Sequence, residues 1–245
     1  MEHREELAPG GIRFLWDDGL FPPGTDSFLL SSLPWLKPGL RVCDLCCGTG
    51  LVGFLLLQRQ RELRLTGIDR EERAIALARR CAGENGLAGQ ADFAALDIRA
   101  LRGALPAGSF DLAVANPPYF PPERGLSPAD PARREARTEG SLSLPELCRA
   151  AGYLLRWGGS FCLVHRPERL AELLAALGAA GLEPKRLRAV EPRPGAAPSL
   201  LLLEARRGGR PGLTWEAPLR LTDGAGRPTA EVNAIYFRST EDTIL

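Results

Sequence analysis

Four residues with the makings of a chemical site, Asn116-Pro117-Pro118-Tyr119, follow directly on a short apolar run, Leu112 to Ala115. The run is brief and contains Val, so it reads as a buried strand. Two consecutive prolines cannot donate to a sheet ladder, and the first biases Asn116 towards extended backbone. The result is a stiff corner at a strand end, carrying a carboxamide and a phenol ring. An amide oxygen together with a backbone carbonyl can accept both hydrogens of an exocyclic amino group, and an aromatic ring beside them can stack on the base that carries it. Against this stands a plainer reading, a proline-rich turn next to an incidental Asn.

The elements around this corner alternate between strand and helix. Arg41 to Leu45 is expected as a strand. The loop Cys46-Cys-Gly-Thr-Gly50 then leads into an apolar helix, Leu51 to Arg59. A second strand, Leu63 to Ile68, ends at Asp69. The helix Glu71 to Asn85 carries Ala74, Leu77, Ala78 and Cys81 at helical spacing and stops at Gly86. A weaker strand, Asp92 to Leu96, ends at Asp97, and the run before Asn116 is the fourth. Beyond the corner, Leu144 to Trp157 and Glu168 to Leu177 read as helices, and Ser160 to His165, Lys185 to Val190 and Leu200 to Glu204 as strands. Successive units of this kind build a doubly wound, mostly parallel seven-stranded α/β sheet with helices on both faces. Ligands of such sheets bind beyond the carboxyl ends of the strands. Asp44, Asp69, Asp97 and Asn116 all lie at or near strand ends, as expected of one shared pocket.

Residues 1–24 read as a short N-terminal extension with turn signals around an apolar patch, Ile12 to Trp16. A helix begins near Gly24, with Thr25 or Asp26 as its expected N-cap. Residues 25–206 form the expected main domain, and 207–245, rich in turn signals, a small C-terminal appendage packed on it. The polar stretch 120–140 holds four prolines, then Arg133, Arg134 and Arg137. A loop of that length is usually functional or disordered.

An apolar fraction of 44% and a charged fraction of 25% suit a soluble globular chain. No apolar run approaches the length of a membrane span, and the charged start Met1-Glu-His-Arg-Glu-Glu lacks a signal-peptide core, so no membrane and a cytoplasmic location are expected. The net charge is +1, yet residues 120–210 hold 15 Lys/Arg against 10 Asp/Glu, a local excess that suits phosphate contacts. Six cysteines in such a chain argue against a disulfide framework. Cys43 and Cys46 form a C-x-x-C, but Cys81, Cys148 and Cys162 stand alone and the two histidines are His3 and His165. No metal is expected.

Gly48-Thr-Gly50-Leu-Val-Gly53, with Asp69 19 residues beyond Gly50, satisfies the dinucleotide fingerprint superficially. Asp44 lies just before these glycines, however, where it would repel a pyrophosphate, and no hydride-transfer acid is evident. S-adenosylmethionine carries positive charge on sulfur and amine and has no phosphate, so acidic strand ends suit it: one near the amine, one for the ribose hydroxyls, one for the adenine amino group.

At this point a family resemblance is plain. Asp44-Leu-Cys-Cys-Gly-Thr-Gly50 resembles the first motif of class I methyltransferases, whose fold is Rossmann-like; Asp69 resembles their ribose acid and Asp97 their adenine-binding acid. Asn116-Pro-Pro-Tyr119 resembles the catalytic motif of amino-group methyltransferases. Gly24-Thr-Asp-Ser-Phe-Leu-Leu30, Val164-His-Arg-Pro-Glu-Arg-Leu170 and Leu182-Glu-Pro-Lys-Arg186 resemble segments of bacterial tRNA1(Val) adenine-N6-methyltransferases, and the likeness runs to about Phe237. The resemblance implies methyl transfer from S-adenosylmethionine to N6 of the adenosine just 3′ of the anticodon. It implies catalytic roles for Asn116, Pro117 and Tyr119. Cofactor contacts would come from Thr25, Asp26, Asp44, Cys46, Gly48, Gly50, Asp69, Asp97 and Asn116. RNA contacts would come from Arg133, Arg134, Arg137, His165, Arg166, Lys185 and Arg186. The protein is expected to act as a monomer or weak dimer on tRNA. Two positions depart from the family: it usually has Gly where this chain has Cys46, and often His where this chain has Thr138. The N-P-P-Y motif also occurs in enzymes acting on a release-factor glutamine amide or on guanine N2, which remain alternatives, as does an inactive cofactor fold serving as an interaction module.

Overall fold

The computed structural model describes residues 1–117 and 142–238 of the chain. Its framework is a sheet to which nine strands contribute among the described residues. Five parallel strands form its body: β3 (Arg41–Leu45), β4 (Arg64–Asp69), β5 (Ala91–Ala95), β6 (Phe110–Ala115) and β7 (Leu155–His165). They lie in the order β5-β4-β3-β6-β7. Beyond β7 come β9 (Leu200–Arg207), antiparallel to its neighbours, and β8 (Leu182–Glu191). The mostly parallel doubly wound sheet is therefore as expected, with one reversed strand.

The chain winds outward from β3 in both directions, first to β4 and β5 and later to β6 and β7. This leaves a crevice between the carboxyl ends of β3 and β6, where strand order reverses. Register places Leu45 beside Ala115, so the two chain segments that carry the candidate chemistry leave the sheet side by side.

One face of the sheet is covered by α1 (Thr25–Ser32), α2 (Leu51–Arg59) and α3 (Glu72–Glu84), the other by α4 (Leu144–Leu154) and α5 (Leu170–Ala179). Strand alternation sorts the side chains of β3 between these layers: Val42 joins the first, Cys43 and Leu45 the second. The helix α4 begins with a reciprocal capping box between Ser143 and Glu146. It stops at Leu154 rather than Trp157, because Leu155 already pairs with Phe110. The residues to Ser160 bulge out of the ladder through Gly158, whose φ is +77°.

Both ends of the chain join this core. Residues 1–24 contain a hairpin, β1 (Glu2–Glu6) with β2 (Arg13–Asp17), where only an extension with turns is expected from sequence. All of β1 is polar, and no apolar alternation announces it. Ile12, Phe14 and Leu15 are nevertheless buried, and Phe14 packs edge-on to Phe54 of α2. At the other end β10 (Thr214–Trp215) and β11 (Leu219–Arg220) each add to β8, and α6 (Ala230–Ile235) lies against α1 and α2, where Tyr236 stacks on Phe28 and Arg59 donates to the Ile235 carbonyl at 2.7 Å. No helix among the described residues is long and apolar enough to cross a membrane.

Candidate active site

The crevice is built from the turn after β3. Gly50 is the N-cap of α2 with φ +84°, and a β-carbon there would meet Phe93 at 2.8 Å and Phe54 at 3.0 Å. The chain thus turns tightly from strand into helix and leaves the loop 46–50 lining the crevice. Asp44 points from β3 towards the first turn of α2, where its Oδ2 accepts the Gly53 amide at 2.9 Å. That amide is one of the N-terminal donors without a partner inside the helix, and the helix end favours negative charge. Oδ1 of the same carboxylate is buried and has no hydrogen-bond partner among the described residues. Burial pushes the Asp44 carboxyl up to about 8, with Asp69 adding to the rise and the Gly53 amide opposing it.

Asp69 ends β4 and braces two loops. Its Oδ2 accepts from the Gly48 amide at 2.8 Å and its Oδ1 from the Glu71 amide at 2.9 Å. Burial raises its pKa, and these amides work against the rise. The N-cap of α3 is Glu71, so Asp69 is left at the mouth of the crevice with lone pairs still available. Asp97 follows β5 and is a third exposed. It caps a short 3-10 turn through the Arg99 amide and is gripped by the Arg99 guanidinium, with Nε at 2.9 and 3.0 Å, which holds its carboxyl below the usual value. The sequence offered no sign of this partner.

Cys46 stands at φ +58°, in the left-handed region that favours glycine. One of the two positions at which the chain departs from the family it resembles is thus one where the backbone itself asks for Gly. Burial raises the thiol well above its ordinary value, with Asp69 and Asp44 adding to the effect.

Asn116 comes straight off β6 and its Nδ2 donates to Ser27 Oγ at 3.1 Å. Ser27 belongs to the first turn of α1 and is buried; its neighbours Thr25 and Asp26 are expected from sequence at the site, and Ser27 is not. The N-cap of α1 is Gly24, with no side-chain cap, which corrects the expectation that Thr25 or Asp26 holds that position. Both lie in the first turn, free of capping duty and close to the crevice through their neighbour Ser27. Pro117 is buried next to Asn116. Tyr119, Arg133, Arg134 and Arg137 lie outside the described residues, as does Thr138.

The other expected RNA contacts divide. Arg166 sits at the carboxyl end of β7, beside the crevice, and donates to the Ser199 carbonyl at 3.1 Å. His165 is fully buried under that strand end and presents no surface to RNA. Lys185 and Arg186 lie in the amino-terminal half of β8, and at about 3.3 Å per residue Arg186 is roughly 16 Å short of its carboxyl end. The Lys185 ammonium donates to the Arg210 carbonyl at 2.9 Å. The Arg186 guanidinium bonds Glu204 at 2.8 Å, Glu216 at 2.6 Å and the Leu33 carbonyl at 3.1 Å. Burial, distance or internal bonds thus keep these three side chains out of the crevice.

Residues 19–127 match the methyltransferase small domain family. Over 213 residues the chain is 30% identical to the tRNA1(Val) (adenine(37)-N6)-methyltransferase of Tolumonas auensis, with 86% of each chain covered. The chain belongs to that family. Among solved structures, a predicted O-methyltransferase of Agrobacterium tumefaciens, protein Atu636, superposes with a TM-score of 0.72 at 25% identity, covering 88% of this chain and 98% of that one. TrmN from Thermus thermophilus superposes with a TM-score of 0.54 at 26% identity, covering 74% of this chain and 48% of that one. The fold is that of class I S-adenosylmethionine-dependent methyltransferases. In the family's terms, the acidic strand ends Asp44 and Asp69 and the corner at Asn116 converge on one crevice, and the basic segment of β8 does not.

Proposed function

We propose that the protein transfers a methyl group from S-adenosylmethionine to the exocyclic N6 amino group of an adenosine in tRNA, next to the anticodon. Membership of the adenine-N6 family supports the substrate, and the Asn116-Pro117 corner at the switch-point crevice supports the chemistry; that corner is the observation on which the reading rests. On the same reading residues 25–206 form the methyltransferase unit, with 1–24 and 207–245 as terminal additions.

The residues fit the cofactor. Asp44 offers a buried carboxylate oxygen without a partner among the described residues, which suits a cationic group. The loop of Gly48 and Gly50 turns backbone rather than side chain towards the crevice, and a β-carbon on Gly48 would meet nothing within 4 Å. Asp69 retains acceptor capacity for hydroxyls, and Asp97 can accept from an adenine amino group once Arg99 yields. Thr25, Asp26 and Cys46 complete the wall. When bound, S-adenosylmethionine supplies an electrophilic methyl on a sulfonium.

The adenine amine is a weak nucleophile because its lone pair is delocalised into the ring. Asn116 Oδ1 and the Pro117 carbonyl accept its two hydrogens and favour a more pyramidal nitrogen with its lone pair turned into the crevice. No base is needed before transfer; the extra proton leaves the product nitrogen afterwards. Tyr119 stacks on the everted base, an interaction of about 1–3 kcal/mol. Most of the acceleration is alignment of the reactants. Arg166, with Arg133, Arg134 and Arg137, takes the phosphates.

The test is to incubate total tRNA and purified release factor with labelled cofactor and digest the tRNA to nucleosides. N6-methyladenosine is expected. Label confined to protein, or N2-methylguanosine in place of N6-methyladenosine, overturns the substrate.

A further inference from the structure

An asparagine that must accept hydrogen bonds from an amine has a problem of orientation. Its carboxamide presents an oxygen and an NH2 group of nearly the same shape, and a half-turn replaces the acceptor with a donor. Facing an amino group, that half-turn sets N–H against N–H. Something must hold the nitrogen side.

In this protein Ser27 meets the requirement. Its Oγ accepts from Asn116 Nδ2 at 3.1 Å, across 89 residues of sequence. The serine is 7% exposed, so water competes poorly for the contact. It is fixed in the first turn of α1, where its own amide donates to the Gly24 carbonyl at 3.1 Å. The two other serines of that helix behave differently: Ser31 and Ser32 donate back to the carbonyls of Phe28 and Leu29, each at 2.7 Å, as helical serines commonly do. Ser27 is the one whose hydroxyl crosses to the strand end.

We infer that Ser27 is a positioning residue for methyl transfer, holding the Asn116 amide by its nitrogen and so reserving Oδ1 for the substrate amine. The inference rests on the proposal that Asn116 receives the amine. Ser27 follows directly on Thr25 and Asp26, so the same helical turn that borders the cofactor side also sets the acceptor group. Removing the hydroxyl lets the amide turn over, which slows the chemical step and leaves both ligands bound.

The experiment compares Ser27→Ala, Ser27→Thr, Asn116→Ala and the double variant Ser27→Ala/Asn116→Ala in single-turnover methylation of tRNA. Cofactor affinity, tRNA affinity and Tm are measured beside the rates. Ser27→Ala is expected to lower the rate about tenfold at unchanged affinities and Tm. Ser27→Thr keeps a hydroxyl and most of the rate, and Ser27→Ala has no further effect once Asn116 is Ala. A wild-type rate for Ser27→Ala, with Asn116→Ala severely impaired, overturns the inference and spares the proposed function. A loss that tracks a fall in Tm or cofactor affinity overturns it also, by assigning Ser27 to the helix. Full activity of Asn116→Ala overturns the proposed function and the inference together.

Discussion

Asp44 and Gly53 are tied by a 2.9 Å hydrogen bond that uses one carboxylate oxygen and leaves the other buried without a hydrogen-bond partner among the described residues. Burial, with Asp69 nearby and against the pull of the Gly53 amide, makes the carboxyl keep its proton up to about pH 8 in the fold, whereas its ordinary value is 3.8. Between these values the folded chain holds a proton that the unfolded chain has released, so Asp44 makes the cofactor-free protein less stable as pH rises from about 4 to about 8. Asp44→Asn is expected to flatten that part of the Tm–pH profile. Binding a cationic ligand against Asp44 favours the carboxylate and expels a proton near pH 7, so the heat of cofactor binding should vary with the ionisation heat of the buffer. A buffer-independent heat refutes the assignment.

Cys46 holds a left-handed conformation, φ +58°, that costs an L-residue about 1–2 kcal/mol. Glycine relieves this but adds about 0.5–1 kcal/mol of backbone entropy to the unfolded chain. Cys46→Gly should therefore raise Tm by a degree or two and leave cofactor affinity intact or improved. A lower Tm would mean that contacts of the thiol outweigh the strain.

How much of this site was legible follows from where each signal resides. Strand β3 and helix α2 were placed to the residue, because an apolar run bounded by glycines is local information. Asp44, Asp69 and Asn116 were expected at one crevice and lie along it, because strand ends in a parallel sheet share an edge. Ser27 and Arg99 were missed because their importance lies in a partner: one reaches a residue 89 positions away, the other turns back two positions onto an exposed carboxylate, and neither leaves a periodic trace. The basic pair Lys185 and Arg186 gives no local sign of its internal partners: the Arg210 carbonyl for Lys185, and for Arg186 Glu204 and Glu216, which lie 18 and 30 residues on.

Arg99 occupies the carboxylate of Asp97 that the cofactor's adenine would need. The pair is partly exposed, and such pairs contribute at most about 1 kcal/mol. Arg99→Ala should accordingly leave Tm within about a degree of wild type and tighten cofactor binding two- to threefold in titration calorimetry. Weaker binding instead would show that Arg99 assists the cofactor directly.

Arg186 separates structure from RNA binding. Its guanidinium neutralises Glu204, which is 4% exposed and also accepts from the Ser160 hydroxyl at 2.9 Å. Arg186→Met strands that buried charge, a loss of about 3 kcal/mol or more. For a chain of this size it lowers Tm by several degrees. The fall should be partly recovered by adding Glu204→Gln, which removes the unpaired charge. tRNA affinity of the folded variant should keep its full dependence on salt, because the side chain neutralises a carboxylate and no phosphate. Arg166→Ala is the contrasting case: it should leave Tm nearly unchanged and reduce the slope of log K against log salt by close to one phosphate contact. If Arg186→Met lowers the slope and spares Tm, β8 belongs to the RNA surface and the division drawn between the two strand ends fails.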